Sequence, residues 1–286
     1  MVKNPLNDQL PNLYIIGNGF DISHGIKSKY TDFRDWLQKN GREEIIETMD
    51  NLFTDTDKCS FWSDIEHALG EYDEYGIAPW YMEDAWEETL AEDLVDNLAD
   101  DMNKFKKAFC NWVDTIDCWS ETMMSLNISA KYLSFNYTNT LELVYGIPAE
   151  QILHIHGSRL TPEKEYIIGH GNMREFEEKG DDGNPIPQEA YNNIIDIMNG
   201  WRKKSEMIIN KHEKFFHTLC NCRVVCILGF SYSDIDMPYL NEVIKSVDRN
   251  CRWVLTYYSN KDLVRAEKFV KDFGIKNYVL TQWCNI

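Results

Sequence analysis

The chain has 286 residues, with 47 Asp and Glu against 29 Lys and Arg, giving a formal net charge of −18. Its 43% hydrophobic and 13% aromatic content can bury a large core and excludes wholesale disorder. The charge excludes binding to DNA or RNA through a basic stripe, though not a small anionic ligand held by backbone amides.

The N-terminal segment MVKNPLNDQLPN carries no apolar stretch of the signal-peptide kind, and no apolar run approaches the roughly 18 residues of a membrane span. A cytoplasmic chain without a membrane partner is expected. The first strand reads LYIIG, Leu13 to Gly17, and runs into the turn Gly17-Asn18-Gly19 and a helix beginning near Asp21. A helical segment then occupies about Trp36 to Leu126. Its clearest part places Trp86, Leu90, Leu94, Leu98, Met102, Phe105, Phe109, Trp112 and Ile116 at spacings of three and four, with acids mostly between them. That pattern predicts an amphipathic helix with one wet acidic face. Between Cys59 and Asn103 there are 14 acids and no Lys or Arg, so this stretch carries −14 of the −18. A solvated helix face is the plain reading of such a run, and a partner-docking or DNA-mimicking surface the sharper one.

Further strands are expected at KYLSFNY (Lys131 to Tyr137), ILHIHG (Ile152 to Gly157), RVVCILGF (Arg223 to Phe230), RWVLTYY (Arg252 to Tyr258) and KNYVLTQW (Lys276 to Trp283). Continuous apolar runs of this length suit strands buried on both faces of a parallel sheet. Helices over Met237 to Val247 and Lys261 to Phe273 separate the last three, which is βαβ grammar. A second interruption, Met173 to Asn221, opens on the loop GDDGNPIP and continues as helices. The expected fold is α/β: a Rossmann-like parallel sheet flanked by helices, with a large acidic helical insertion. The expected boundaries are 1–35 and 128–286 for the nucleotide-binding domain, 36–127 for the insertion and 173–222 for the second one. Eight cysteines include no CxxC pair, so a zinc module is not expected, and free thiols are.

Four segments carry the chemistry. In the first, Gly17, Asn18 and Gly19 would let a pyrophosphate approach backbone N–H groups at a helix N-terminus, and Asp21 would cap that helix or touch a ribose hydroxyl. In the second, SFNYTNTLE, Asn136 lies just beyond a buried strand, where open α/β sheets bind ligands; Thr138 and Asn139 read as caps of the next helix. In the third, His154 and His156 share a face of a strand, and His156 before Gly157 suits a general base near neutral pH. A zinc pair there has no convincing third ligand apart from His170. In the fourth, LGFSYSDIDM, Gly229 and Ser231 offer another backbone cradle, and Asp234 or Asp236 would cap the following helix.

Together these blocks resemble the sirtuin-like NAD-binding superfamily and, within it, the abortive-infection family AbiH. The sirtuin pattern of GAG, then Gly-Ile, then Asp-Phe-Arg is matched in order by Gly17-Asn18-Gly19, Gly25-Ile26 and Asp32-Phe33-Arg34, with three extra residues before Asp32. AbiH-like sequences share the forms GNGFD, FNYTN, IHG and SDID. The zinc module of deacylating sirtuins is missing, so an acyl-lysine channel is not implied. The resemblance implies an NAD glycohydrolase of anti-phage abortive infection that depletes NAD, silent until activated. In that reading NAD is the substrate and no metal takes part; Asn136 and His156 are catalytic. Gly17, Asn18, Gly19, Asp21, Asp32, Phe33, Arg34, Gly157, Gly229 and Ser231 bind the dinucleotide, Phe33 shielding the nicotinamide site and Asp32 with Arg34 fixing that loop. The implied partners are a second copy of the chain or a defence-system protein, such as a phage-derived trigger or an ATPase or sensor subunit. The alternative is a non-catalytic NAD or ADP-ribose sensor in a defence complex.

Overall fold

The computed structural model describes residues 10–53, 61–82, 90–160, 166–175 and 188–286. In chain order the elements are β1 (Leu13–Ile16), α1 (Asn18–Ser23), α2 (Tyr30–Lys39), α3 (Glu43–Leu52), α4 (Ile65–Gly70), α5 (Glu74–Met82) and α6 (Leu90–Thr115). Then come β2 (Lys131–Ser134), α7 (Thr140–Tyr145), β3 (Ile152–His154), α8 (Gln188–Gly200), α9 (Ser205–Lys211) and α10 (Glu213–His217). The chain closes with β4 (Val224–Leu228), α11 (Met237–Ser246), β5 (Arg252–Tyr257), α12 (Asn260–Asp272) and β6 (Tyr278–Gln282). Trp86 and the GDDGNPIP loop lie outside the described residues, and the expected helix reaching Leu126 ends at Thr115. None of the described helices is long and apolar enough to cross a membrane. The cysteines among the described residues are free thiols.

All six expected strands form one sheet in the order β3-β2-β1-β4-β5-β6, every neighbouring pair parallel. This is the doubly wound, Rossmann-like order. Alternation along the strands divides the core in two. Leu13, Ile15, Leu133, Val225, Ile227 and Leu255 face one cluster, which α9 to α12 close with Ile208, Phe216, Tyr239, Val243, Phe269 and Val270. Tyr14, Ile16, Tyr132, Cys226, Leu228 and Val254 face the other, with Phe20 of α1 and Leu141 of α7. Along β1, β2, β4 and β5 both faces are buried, which is why these strands read as unbroken apolar runs, while the edge strands β3 and β6 are only partly covered. The helices of the last crossovers start and stop on local signals: Ser259 and Asp262 form a reciprocal capping box at the head of α12, and Pro238 sits in the first turn of α11.

The chain divides into two compact units, one of residues 1–28, 113–167 and 204–286, the other of 29–112 and 168–203. The first holds the sheet. The boundaries differ from the expected ones because packing assigns α2 and the segment before α9 to the helical unit. In that unit Phe33 of α2 is fully buried, its ring 5.2 to 6.0 Å from those of Trp62, Phe105, Phe109 and Trp112. Tyr75 of α5 likewise meets Tyr191 of α8 at 4.7 Å. Conversely, α9 and α10, expected within the second insertion, supply Ile208 and Phe216 to the core of the sheet unit.

Candidate functional site

Parallel strands deliver their following residues to one edge, and in the sheet unit that edge collects polar side chains that the core excludes. Asp21, His24, Ser134, Asn136, Thr138, Asn139, Thr140, His156, Ser158 and Asp236 are all buried there, each no more than 9% exposed. Burying so many polar groups costs free energy unless they are hydrogen-bonded, so such a concentration marks a place where function competes with stability.

The junction between the first two motifs is made by glycine. Gly17 N–H donates to the Leu228 carbonyl (3.0 Å) and Gly19 N–H to the Gly229 carbonyl (2.8 Å). A Cβ on Gly17 would lie 2.6 Å from the Gly229 oxygen, and one on Gly229, held at φ +62°, would lie 2.1 Å from Phe20 N. The turns after β1 and β4 therefore touch backbone to backbone. These glycines serve close backbone approach, and the Gly17 and Gly19 N–H groups of the turn expected to hold a pyrophosphate donate within the fold. Asn18 is exposed and binds Ser28, donating to its carbonyl (2.9 Å) and accepting from its hydroxyl (2.6 Å). Gly157, at φ +85°, donates its N–H to the His154 carbonyl (3.1 Å), while Gly229 N–H meets Thr256 Oγ1 (3.3 Å). Ser231 is exposed, its carbonyl accepting from Arg265 (3.3 Å).

Asp21 turns inward rather than toward a ribose. Its Oδ2 accepts from Thr138 Oγ1 at 2.5 Å, and Thr140 stands behind Thr138 at 3.3 Å. Burial pushes the Asp21 carboxyl above its ordinary value; bonds from Thr138 and Thr140, the charge of His24 and a bond from Asn136 pull the other way. Thr138 is thus not a helix cap. Asn139 occupies the N-cap position of α7 but makes no capping bond with its side chain.

Asn136 is held on three sides. Its N–H donates to Ser134 Oγ (3.2 Å), its Nδ2 to the Gly17 carbonyl (3.2 Å), and its own carbonyl accepts from His154 Nδ1 (2.9 Å). The fourth polar atom, Oδ1, is buried and has no hydrogen-bond partner among the described residues. His154 Nε2 in turn lies 3.0 Å from Glu142 Oε1. His154 thus braces Asn136.

His156 is 3% exposed, its ring 5.4 Å from those of both Phe135 and Tyr239. Its Nε2 lies 3.7 Å from Asp236 Oδ1, longer than a hydrogen bond yet close enough for a carboxylate to stabilise an imidazolium. Asp236, one of the two acids expected to cap α11 beside Asp234, occupies the N-cap position without a side-chain capping bond. Asp236 and Glu142 are the two members of this constellation that the sequence reading missed. The only sequence signal for Asp236 was an acid just before a helix, which a cap produces equally well.

The third block of the first motif lies in the helical unit. Asp32 accepts from Lys29 N–H (2.9 Å) at the head of α2, and Arg34 pairs with Asp50 at 3.6 Å. Arg34 also lines a groove of about 390 Å³ with Gln38, Glu43, Glu47 and Asp50. Phe33 is spent on the aromatic core, so the expectation that it shields a nicotinamide is corrected: a ring with no exposed surface is a packing residue. His170 is also in the helical unit, where its Nε2 donates to the Met198 carbonyl (2.8 Å). Among the described residues no three His, Cys, Asp or Glu side chains gather where they could hold a metal ion.

No curated protein matches the chain. The family model described as bacteriophage abortive infection AbiH matches residues 13–257. That span runs from the first residue of β1 to the last of β5 and takes in every motif of the polar edge. The chain belongs to the AbiH family of bacteriophage abortive-infection proteins.

Proposed function

We propose that the sheet unit binds NAD at the carboxyl edge of β1, β2 and β4 and hydrolyses it to nicotinamide and ADP-ribose, and that the resulting loss of NAD is how the protein aborts infection. The observation that carries this reading is Asn136: three of its polar atoms are fixed, and the fourth, a buried acceptor, awaits a donor. A ribose hydroxyl or a water supplies one. His156, with the Asp236 carboxylate beside it, is the base. The glycosidic bond breaks through an oxocarbenium-like state and nicotinamide leaves neutral. The water oxygen bonds to the ribose carbon while its proton passes to His156, a contribution of roughly 10²–10⁴-fold. Since the Gly17, Gly19, Gly157 and Gly229 N–H groups donate within the fold, recognition of the pyrophosphate falls to the exposed Ser231 side chain at the end of β4 and to Asn18 at the end of β1, whose bonds to Ser28 would exchange for the ligand's. A sirtuin-like ancestry fits this order of motifs.

The enclosure of His156 between Phe135 and Tyr239 favours a silent resting state. Opening it is assigned to a trigger: self-association, a phage-derived component, or an ATPase or sensor partner. The same enclosure is also the observation that favours the second reading, a sensor that holds NAD or ADP-ribose without turning it over.

Purified chain, alone and with lysate of phage-infected cells, is incubated with NAD and nicotinamide is measured. Release is expected, with Asn136→Ala and His156→Ala each lowering it about a hundredfold or more. Tight NAD binding without release under either condition supports the sensor. Release that both variants preserve would show that the chemistry lies elsewhere.

A further inference from the structure

Three strands meet at Asn136, yet its geometry depends on a pair of side chains that never reach the edge. His154 ends β3 and Glu142 lies in α7, within the sheet unit. The register Ser134↔His154 and the bond from Ile155 N–H to the Ser134 carbonyl (3.0 Å) fix the end of β3 beside the turn that carries Asn136. From there His154 Nδ1–H reaches the Asn136 carbonyl at 2.9 Å, while Glu142 Oε1 meets the other ring nitrogen at 3.0 Å. The side chains of both are largely enclosed, 9% exposed for His154 and 14% for Glu142. The carbonyl at Nδ1 and the carboxylate at Nε2 both accept, so the two bonds together take a proton on each ring nitrogen, and between them they fix the tilt of the ring. The remaining anchors of Asn136, Ser134 Oγ and the Gly17 carbonyl, hold its N–H and Nδ2, and Ser134 Oγ also donates to its carbonyl at 3.5 Å, well beyond the 2.9 Å of the His154 bond. Without the His154 bond the carbonyl would keep only that long contact, and rotation of the peptide would carry Oδ1 away from its position.

We propose that Glu142 and His154 are a positioning pair that aims Asn136 Oδ1 at the reacting ribose or water. The proposal rests on the NAD-hydrolysis reading. Neither residue touches the reacting atoms; each acts through Asn136. Glu142 holds the imidazole, the imidazole holds the Asn136 carbonyl, and the carbonyl sets the side-chain amide.

The relay has a direction, which separates it from simple packing. Asparagine places its amide N–H near where histidine carries Nδ1–H, whereas glutamine places it near Nε2. His154→Asn therefore keeps the bond to Asn136, and His154→Gln keeps only the one toward Glu142. Full-length His154→Asn is expected to retain kcat for nicotinamide release within about threefold, while His154→Gln and Glu142→Gln lose on the order of ten- to a hundredfold in kcat with KM changed much less. Equal kcat for the Asn and Gln variants, or losses confined to KM, would overturn the proposal. A second readout needs no turnover. In ¹⁵N-labelled protein the side-chain amide resonance of Asn136 should keep its position in His154→Asn and move in His154→Gln and Glu142→Gln. If wild type releases no nicotinamide but the resonances behave so, hydrolysis fails while the positioning of Asn136 stands. If the resonances do not distinguish the variants, the positioning pair fails whatever the activity.

Discussion

Asp21 is 1% exposed, and its carboxyl is pushed upward by burial more strongly than Thr138, Thr140, His24 and Asn136 pull it down. A carboxyl whose folded-state value lies above its unfolded one binds its proton more tightly when folded. Its favourable contribution is present below the ordinary range near pH 4 and is lost as pH rises through the folded value. Asp21→Asn removes that ionisation while keeping an oxygen for Thr138. The stability of the variant relative to wild type should therefore rise between pH 4 and pH 8, read as the difference in melting temperature across that range. A difference that falls with rising pH would mean that ionised Asp21 is stabilised where it sits. Asp236 makes the second residue-scale prediction. Because its carboxylate is 3.7 Å from His156 Nε2, Asp236→Asn should lower nicotinamide release by on the order of ten- to a hundredfold with little change in melting temperature. Unchanged kcat would remove Asp236 from the machinery. Both residues show where sequence stops. An acid inside a motif is visible, but whether it caps a helix, binds a hydroxyl or backs a histidine depends on which element packs over it.

Among the elements, the turn that joins β4 to the rest of the edge is tightly constrained. Gly229 and Gly274 have nearly the same φ, +62° and +63°, but different surroundings. A Cβ at Gly229 would overlap Phe20 N at 2.1 Å, while one at Gly274 meets nothing within 4 Å. Gly274→Ala should therefore cost about 1 kcal/mol, the conformational term alone. Gly229→Ala should cost more than about 3 kcal/mol, because the turns after β1 and β4 must part. Urea unfolding of the two variants tests this, and equal costs would show that the close approach is not required. The central strands were legible because burial on both faces leaves unbroken apolar runs, as at Leu13–Ile16 and Val224–Leu228. Assignment of α2 was not legible, because Phe33 and Leu37 give an apolar face without saying what covers it. The glycines stand out in the sequence but their purpose does not, because a GxG turn opening toward a ligand and one closing on a second backbone have the same sequence.

At the scale of the molecule, the −18 is concentrated rather than spread. Along α6 the positions Leu94, Leu98, Met102, Phe105 and Phe109 are buried, while Asp93, Asp96 and Asp100 are exposed on the other side. The amphipathic reading of this stretch therefore holds over the described part. Asp101 is hydrogen-bonded, to Lys104 Nζ at 2.8 Å and to Tyr81 OH at 2.9 Å. Like charges one and two turns apart on a helix repel, each pair by a few tenths of a kcal/mol, and the repulsion weakens as salt shortens the screening length from roughly 30 Å at 0.01 M to roughly 8 Å at 0.15 M. The protein should accordingly gain thermal stability as NaCl rises through that interval. Replacing Asp93, Asp96 and Asp100 with Asn should raise the melting temperature at low salt and shrink the salt response. If these acids serve only as a solvated face, nicotinamide release and oligomeric state stay as in wild type. If they form a docking surface, the triple variant loses its assembly while release by the isolated chain persists. A salt response unchanged by the triple substitution would mean that the self-repulsion resides elsewhere in the acidic stretch.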